Sequence, residues 1–147
     1  MPDPRNTTHR LGTEYQRRLT FRADNSDITY DATQPGGSAV VGRAVVLSGN
    51  GIVRLTGAAS AVLGKLMLVE PAQSGAPWCT VTVGGTIDLP KGDGTITAGT
   101  KIVGDLVTAA RGYVRSVAAA TLAEVAVADH HVYDATTATA VEINLHG

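Results

Sequence analysis

Apolar and polar residues alternate in short runs along most of the chain, and glycine-rich turns separate these runs. The clearest run is residues 139–145, where Val141, Ile143 and Leu145 fall on one predicted face of a strand. Short strands at this spacing indicate a small all-β barrel or sandwich. The predicted strands cover residues 43–47, 52–55, 65–70, 78–83, 86–89, 112–117 and 139–145, with shorter β pieces between residues 96 and 107.

Three local patterns refine this prediction. Residues 48–51 contain glycine and asparagine, which accept positive φ, so they predict a hairpin between the first two strands. Residues 65–70 form a continuous apolar run, which predicts a strand that is buried on both faces. Gly84 and Gly85 predict a turn between two separate strands.

One segment, residues 116–127, allows two interpretations. Its consecutive alanines favour a helix, and a short helical turn is expected around residues 118–122. Residues 124–127 instead have a β-like composition, and a turn at residues 134–137 predicts pairing of residues 123–133 with 139–145. We favour the hairpin for this region.

The chain divides by charge into an extended basic N-terminal arm, residues 1–35, and a barrel domain, residues 36–147. Residues 1–22 hold five arginines against two acidic residues, whereas the remainder carries a net charge of −4. The first segment also has few apolar residues with which to form a core. An arm of this kind is open to three interpretations, namely a solvated terminus, a strand or clamp that docks on a partner protein, or a nucleic-acid contact.

Composition and charge exclude several classes of protein. Alanine, threonine, valine and glycine make up about half of the residues, and the net charge is −1. This charge argues against binding to nucleic acid or to an anionic membrane. The longest apolar runs fall short of the roughly 20 residues that span a bilayer, and the N-terminus lacks the apolar segment of a secretory signal. We expect a single soluble domain made in a cytoplasm.

Candidate chemistry is sparse. His130 and His131 are adjacent, so in a regular strand they point to opposite faces, and we expect solvated or edge side chains. Cys79 has a core-facing position and is expected to be a buried structural thiol. Trp78 is expected either to cover one end of the barrel or to form an exposed contact. The sequence predicts no catalytic residue, no metal site and no cofactor, and it lacks the motifs of trimeric dUTPase-type hydrolases.

Residues 42–107 resemble the small capsid decoration, or cement, proteins of tailed bacteriophages. The resemblance lies in the order of turns and apolar residues, and with residues 112–115 and the last hairpin it covers about 100 positions. Its segments are Gly42-Arg-Ala-Val-Val-Leu-Ser-Gly-Asn-Gly-Ile-Val-Arg-Leu, Gly57-Ala-Ala-Ser-Ala-Val-Leu-Gly-Lys-Leu, Val81-Thr-Val-Gly-Gly-Thr-Ile-Asp-Leu-Pro and Ile96-Thr-Ala-Gly-Thr-Lys-Ile-Val-Gly.

This resemblance implies a small β-barrel or β-tulip-like domain that binds the outside of an expanded phage capsid. The implied partners are the major capsid protein and two further copies of the chain in a homotrimer, without nucleic acid or membrane. The implied location is the outer surface of the virion, after synthesis in the host cytoplasm. We expect the arm to supply the capsid-binding residues, and deletion of residues 1–22 to leave a folded monomer that binds more weakly. The expected docking residues are Arg17, Arg18, Leu19, Phe21 and Arg22.

Two other classes of function compete with this hypothesis. Another virion β-module, such as a head-fibre base or a tail or baseplate component, has the same composition and differs in copy number. A small enzyme or ligand-binding barrel requires a pocket with convergent polar groups, and the sequence indicates no set of residues that would form one. We therefore expect a structural protein rather than an enzyme.

Overall fold

The computed structural model describes residues 16–92, 95–117, 122–136 and 139–145. These residues form nine strands, one short helix and one 3₁₀ turn (Pro35–Gly37). The predicted all-β fold with a small barrel is confirmed. The elements are β1 (Arg17–Ala23), β2 (Ala44–Gly49), β3 (Ile52–Leu55), β4 (Gly64–Glu70), β5 (Trp78–Pro90), β6 (Ile102–Val107), β7 (Ala110–Ser116), α1 (Leu122–Val127), β8 (His131–Asp134) and β9 (Ala140–Leu145).

Five strands close into a barrel around the first core. Their order is β1-β3-β2-β4-β5, and β5 closes the barrel by pairing antiparallel with β1. The predicted hairpin is confirmed as β2 and β3, which are joined by a tight turn with Gly51 at φ 68°. Alternate residues of the strands point inward, as the period of two requires. The buried residues of this core are Ala23, Ile28, Val45, Val53, Leu55, Leu66, Val69, Cys79, Val81 and Val83.

The longest strand, β5, belongs to both halves of the molecule. Its first half pairs with β1 and β4, and from Gly85 to Pro90 it pairs with β9. The turn predicted at Gly84 and Gly85 is therefore wrong. Gly85 has a φ of 91°, which glycine adopts without a steric penalty, so the strand changes partners here without ending.

A second core lies beyond this change of partners. β5, β9 and β8 form one side of it, and the β6–β7 hairpin is attached through bridges from Lys91 to Val114 and from Lys101 to His131. The predicted buried face of β9 is confirmed. The buried residues of this core are Ala44, Val62, Ile87, Leu89, Ile96, Ile102, Val114, Val132, Val141, Ile143 and Leu145.

The structure divides the N-terminal region differently from the predicted arm of residues 1–35. Strand β1 is part of the barrel, and Ile28 is completely buried in the first core. Between them, Asp24 accepts hydrogen bonds from the backbone nitrogens of Asp27 and Ile28, both at 3.1 Å. Burial alone opposes ionisation, but these bonds and one from Ser26 lower the pKa of Asp24. Residues 17–23 and Ile28 therefore belong to the barrel rather than to an arm, and residues 1–15 lie outside the described residues.

Strand β4 is present where it was predicted but is buried on one face only. Leu66 and Val69 are buried, whereas Leu68 is 37% exposed on the outer face. A register shift between Leu66 and Leu68 separates the inward and outward positions. The continuous apolar run therefore predicted the position of the strand correctly, but the prediction that both of its faces are buried is wrong.

The ambiguous segment forms both a helix and a hairpin. Residues 122–127 are α1, so the β-like prediction for residues 124–127 is wrong. The predicted pairing with residues 139–145 is confirmed for His131 and Val132, and β8 continues to Asp134, which was predicted to begin the turn. Residues 118–121 lie outside the described parts of the chain. Glu124 attaches α1 to β7, because Arg115 donates hydrogen bonds of 3.0 and 2.5 Å to its two carboxylate oxygens. These hydrogen bonds raise the pKa of Arg115.

We expect Glu124→Gln to lower the free energy of unfolding by about 1–3 kcal/mol, since it removes one charge from a largely buried pair. Urea denaturation of the variant measures this loss. Glu70→Gln is the matched control, because Glu70 is exposed on β4 and its substitution should change stability by less than about 0.5 kcal/mol. Equal effects of the two substitutions would contradict the anchoring role of Glu124.

Candidate protein-binding face on the barrel

Four strands of the barrel place exposed side chains in one row. The strand registers align Ile52 with Arg22, Arg22 with Trp78, and Trp78 with Glu70. The neighbouring row contains Thr20, Thr80 and Leu68. These positions alternate with inward residues, so they lie on the outer surface. We call this surface the Trp78 face and define it by Arg18, Thr20, Arg22, Ile52, Leu68, Glu70, Trp78 and Thr80.

Arg22 and Trp78 form the centre of the Trp78 face. The guanidinium carbon of Arg22 lies 3.9 Å from the centroid of the indole ring, which is cation–π geometry. Arg22 also donates a hydrogen bond of 2.5 Å from Nη1 to the carbonyl oxygen of Ala76. The stack and the hydrogen bond hold the arginine over the ring, so the pair presents a fixed shape to the outside.

Large apolar side chains surround this pair without being buried. Trp78 is 40% exposed, and Ile52 and Leu68 are each 37% exposed. Tryptophan and arginine dominate the energetics of many protein–protein interfaces, because they combine a large contact area with hydrogen bonding. The arrangement is suited to contact with another protein.

The predicted docking residues do not form one surface. Arg18 and Arg22 point outward from β1 and belong to the Trp78 face. Leu19 and Phe21 pair with Val81 and Cys79 and so lie on the opposite face of β1, where Phe21 packs against the first core while Leu19 stays 42% exposed. A register shift between Arg17 and Arg18 separates Arg17 from the outward row. Successive side chains of a strand point to opposite faces, which explains why the predicted docking residues are divided between two surfaces. An arm without regular structure would not divide them in this way.

From the sequence alone, the role of Trp78 stayed open between two alternatives, and Ile52 and Leu68 were not among the predicted contact residues. The structure places Trp78 at the start of β5 with its ring exposed, so the exposed contact is the alternative that fits. Ile52 was within reach of sequence reasoning, because it alternates with Val53 in a short predicted strand. Leu68 was not, because the register shift in β4 has no sequence signal.

Groups with intrinsic reactivity lie apart from the Trp78 face. Cys79 is buried, as predicted, and burial, with a smaller contribution from the charge of Asp24, raises its pKa from 9.0 to about 11. His130 is buried rather than solvated, with Nε2 2.8 Å from the carbonyl oxygen of Val62.

Among the described residues, no three histidine, cysteine or acidic side chains are grouped to hold a metal ion. In the same part of the chain, no helix has the length and apolar character to cross a membrane.

We expect the native Cys79 thiol to react very slowly with a thiol reagent at pH 8, where roughly one thiol in a thousand is ionised at a pKa of about 11. Urea should make the reaction fast. Because the folded state raises this pKa, the thiol's contribution to stability is complete below pH 9 and is lost as the pH rises towards 11. Cys79→Ala should therefore remove part of the alkaline loss of stability. Fast labelling of the native protein would contradict the assignment.

Comparisons with known proteins give no relative, since neither a protein-family model, nor a curated protein, nor a solved structure matches the chain.

Proposed function

We propose that this chain is a structural virion protein, a decoration protein that binds the outer surface of an expanded phage capsid. The observation that carries the proposal is the Trp78 face, an exposed arginine–tryptophan stack with flanking Ile52 and Leu68 on a closed barrel. The resemblance of residues 42–107 to decoration proteins supports the same function. The proposed partner is the major capsid protein, and the site of action is the virion surface after synthesis in the host cytoplasm.

The physical demands of this function agree with the fold. A cement protein needs a rigid body and an adhesive surface, and it needs no reactive group. The closed barrel provides the rigid body, because both edges of each barrel strand are at least partly paired within the domain. The Trp78 face provides the adhesive surface. Homotrimer formation, which the resemblance implies, would join three such faces, so that each later contact becomes intramolecular.

The proposed docking surface is narrower than the predicted set of arm residues. It retains Arg18 and Arg22, which can pair with acidic groups of the capsid, and it adds Trp78, Ile52 and Leu68. Arg17, Leu19 and Phe21 lie on the other side of β1, and the proposal assigns them no capsid contact. No enzymatic step and no cofactor form part of the proposal.

The experiment that tests the function is co-sedimentation of the purified protein with expanded, undecorated capsid shells from its source. Saturation near one copy per major capsid protein would support the decoration function and favour trimers at three-fold positions. Saturation at a few copies per particle would instead indicate a vertex, tail or baseplate component. The proposal fails if the protein remains in the supernatant at all shell concentrations.

A further inference from the structure

A groove of about 620 Å³ lies between β2, the segment that precedes β4, and α1. Leu47 and Leu63 line one side, and Val125 and Val127 line the other. Leu47 is 50% exposed and Val125 is 47% exposed, although both are aliphatic. The volume is within the range of binding sites in proteins, and its walls combine exposed aliphatic side chains with polar groups that include Lys101 and Asp129.

The helix on one wall of the groove has an inverted distribution of polarity. An ordinary surface helix buries its apolar face and exposes its charges. In α1, the charged Glu124 is 8% exposed, whereas Leu122 is 87% exposed and Val127 is 40% exposed. The ion pair with Arg115 fixes this orientation. α1 therefore presents aliphatic side chains outward, and such a surface is typical of a contact with another segment or protein.

The groove continues to the point where the described chain begins. A smaller recess of about 200 Å³ is lined by Arg17 and Leu19, the first and third residues of β1, which follows Gln16. Val62, Leu63 and Asp129 line both the recess and the groove. Because they share these residues, the recess and the groove form one path from the start of β1 to α1, lined by aliphatic and charged side chains.

We propose that residues 1–15 of the same chain bind in this groove and cover α1. This segment lies outside the described residues and joins the structure at the recess. At about 3.3 Å per extended residue, it can reach roughly 50 Å, enough to follow the whole path. Leu11 and Tyr15 supply apolar side chains, and Arg10 and Glu14 supply charges opposite to those of Asp129 and Lys101 on the walls.

Covalent attachment favours the segment of the same chain over other occupants. A short tether gives an effective concentration in the millimolar range, so even weak contacts along the groove lead to occupancy. A second copy of the chain would have to reach a similar concentration in solution to compete. The inference goes beyond the proposed function and does not depend on it, because it concerns the isolated protein and a different surface.

The test measures how accessible the groove is in the full-length chain. A cysteine introduced by Val125→Cys on one wall, or by Leu47→Cys on the other, is labelled with a maleimide, while the native Cys79 is buried. The control reporter is Tyr133→Cys, since Tyr133 is 54% exposed on β8 and does not line the groove. We expect labelling at both wall positions to be at least tenfold slower than at the control position.

The same reporters are then combined with substitutions in the N-terminal segment. Leu11→Ser with Tyr15→Ser should raise the labelling rate at both wall positions at least tenfold, whereas Thr7→Ser with Thr8→Ser should leave it unchanged. The proposal is overturned if the first pair has no effect on either reporter. It is also overturned if protection grows between 1 and 100 µM protein, because the occupant would then be a second copy of the chain.

Discussion

A chain that lacks residues 1–22 should fail to fold. The deletion removes nearly all of β1, which closes the barrel by pairing with β5 from Arg17 to Arg22. Without β1, one edge of β5 loses its partner, and Cys79 and Val81 in the first core become accessible to water. The deletion leaves backbone groups unpaired and exposes apolar surface. We expect the free-energy cost of these two changes to exceed the 5–15 kcal/mol that is typical of the free energy of unfolding of a domain. This expectation replaces the folded monomer that the sequence analysis predicted for the same deletion.

Circular dichroism and urea denaturation measure the result. The matched control lacks residues 1–15 only, which leaves β1 complete, and it should unfold in a cooperative transition. A cooperative transition of the longer deletion, with a midpoint close to that of the control, would show that β1 is dispensable for the barrel.

Trp78→Ala should weaken binding to expanded capsid shells roughly 30- to 1,000-fold. The indole is the largest exposed apolar group of the Trp78 face, and Arg22 is stacked on it. Truncation of such an anchor typically costs about 2–4 kcal/mol of binding free energy, and each 1.4 kcal/mol corresponds to tenfold. Arg22→Ala should have an effect in the same direction, since it removes both the stack and a positive charge. Quantitative co-sedimentation over a range of shell concentrations gives the affinities.

Tyr133→Ala is the control for this experiment, because Tyr133 is an exposed aromatic residue of β8 and lies outside the Trp78 face. Urea denaturation establishes whether each variant retains the stability of the parent chain. If Trp78→Ala and Tyr133→Ala bind the shells equally well, the Trp78 face is not the docking surface, even if co-sedimentation of the parent chain supports the decoration function.

The sequence predicted best those elements whose pattern is local and complete. Val141, Ile143 and Leu145 alternate with polar residues, and all three are buried in the second core. The β2–β3 hairpin was predicted from two short apolar runs and a turn that accepts positive φ. In both cases, the information that determines the element lies within the segment itself.

Elements that depend on distant partners were predicted less well. Residues 17–23 look like an arm because they contain three arginines, and only the pairing with β5, some 60 residues later, makes them a barrel strand. Gly84 and Gly85 look like a turn, yet their place between two sets of strand partners keeps β5 continuous. α1 depends on the ion pair of Glu124 with Arg115, which is a tertiary contact.

The candidate site shows the same limit. Arg18 and Arg22 were selected for their charge, and the structure brings Arg22 onto Trp78, which was treated as a separate feature of the sequence. Leu19 and Phe21 were selected for their apolar character, but the strand register places them on the face of β1 opposite Arg22, where Phe21 packs against the first core. Without the registers of β1, β4 and β5, the composition of the Trp78 face could not be worked out from the sequence.

The continuity of β5 has a mechanical consequence. The strand contains 13 residues and is about 43 Å long when extended, with Trp78 at one end, Pro90 at the other, and Ile87 and Leu89 in the second core. A force applied at the exposed ring is transmitted along one uninterrupted backbone, and the hydrogen bonds to β1, β4 and β9 resist it in shear. The two cores therefore lack a hinge at this junction, and displacement of one relative to the other requires several ladder bonds to break together.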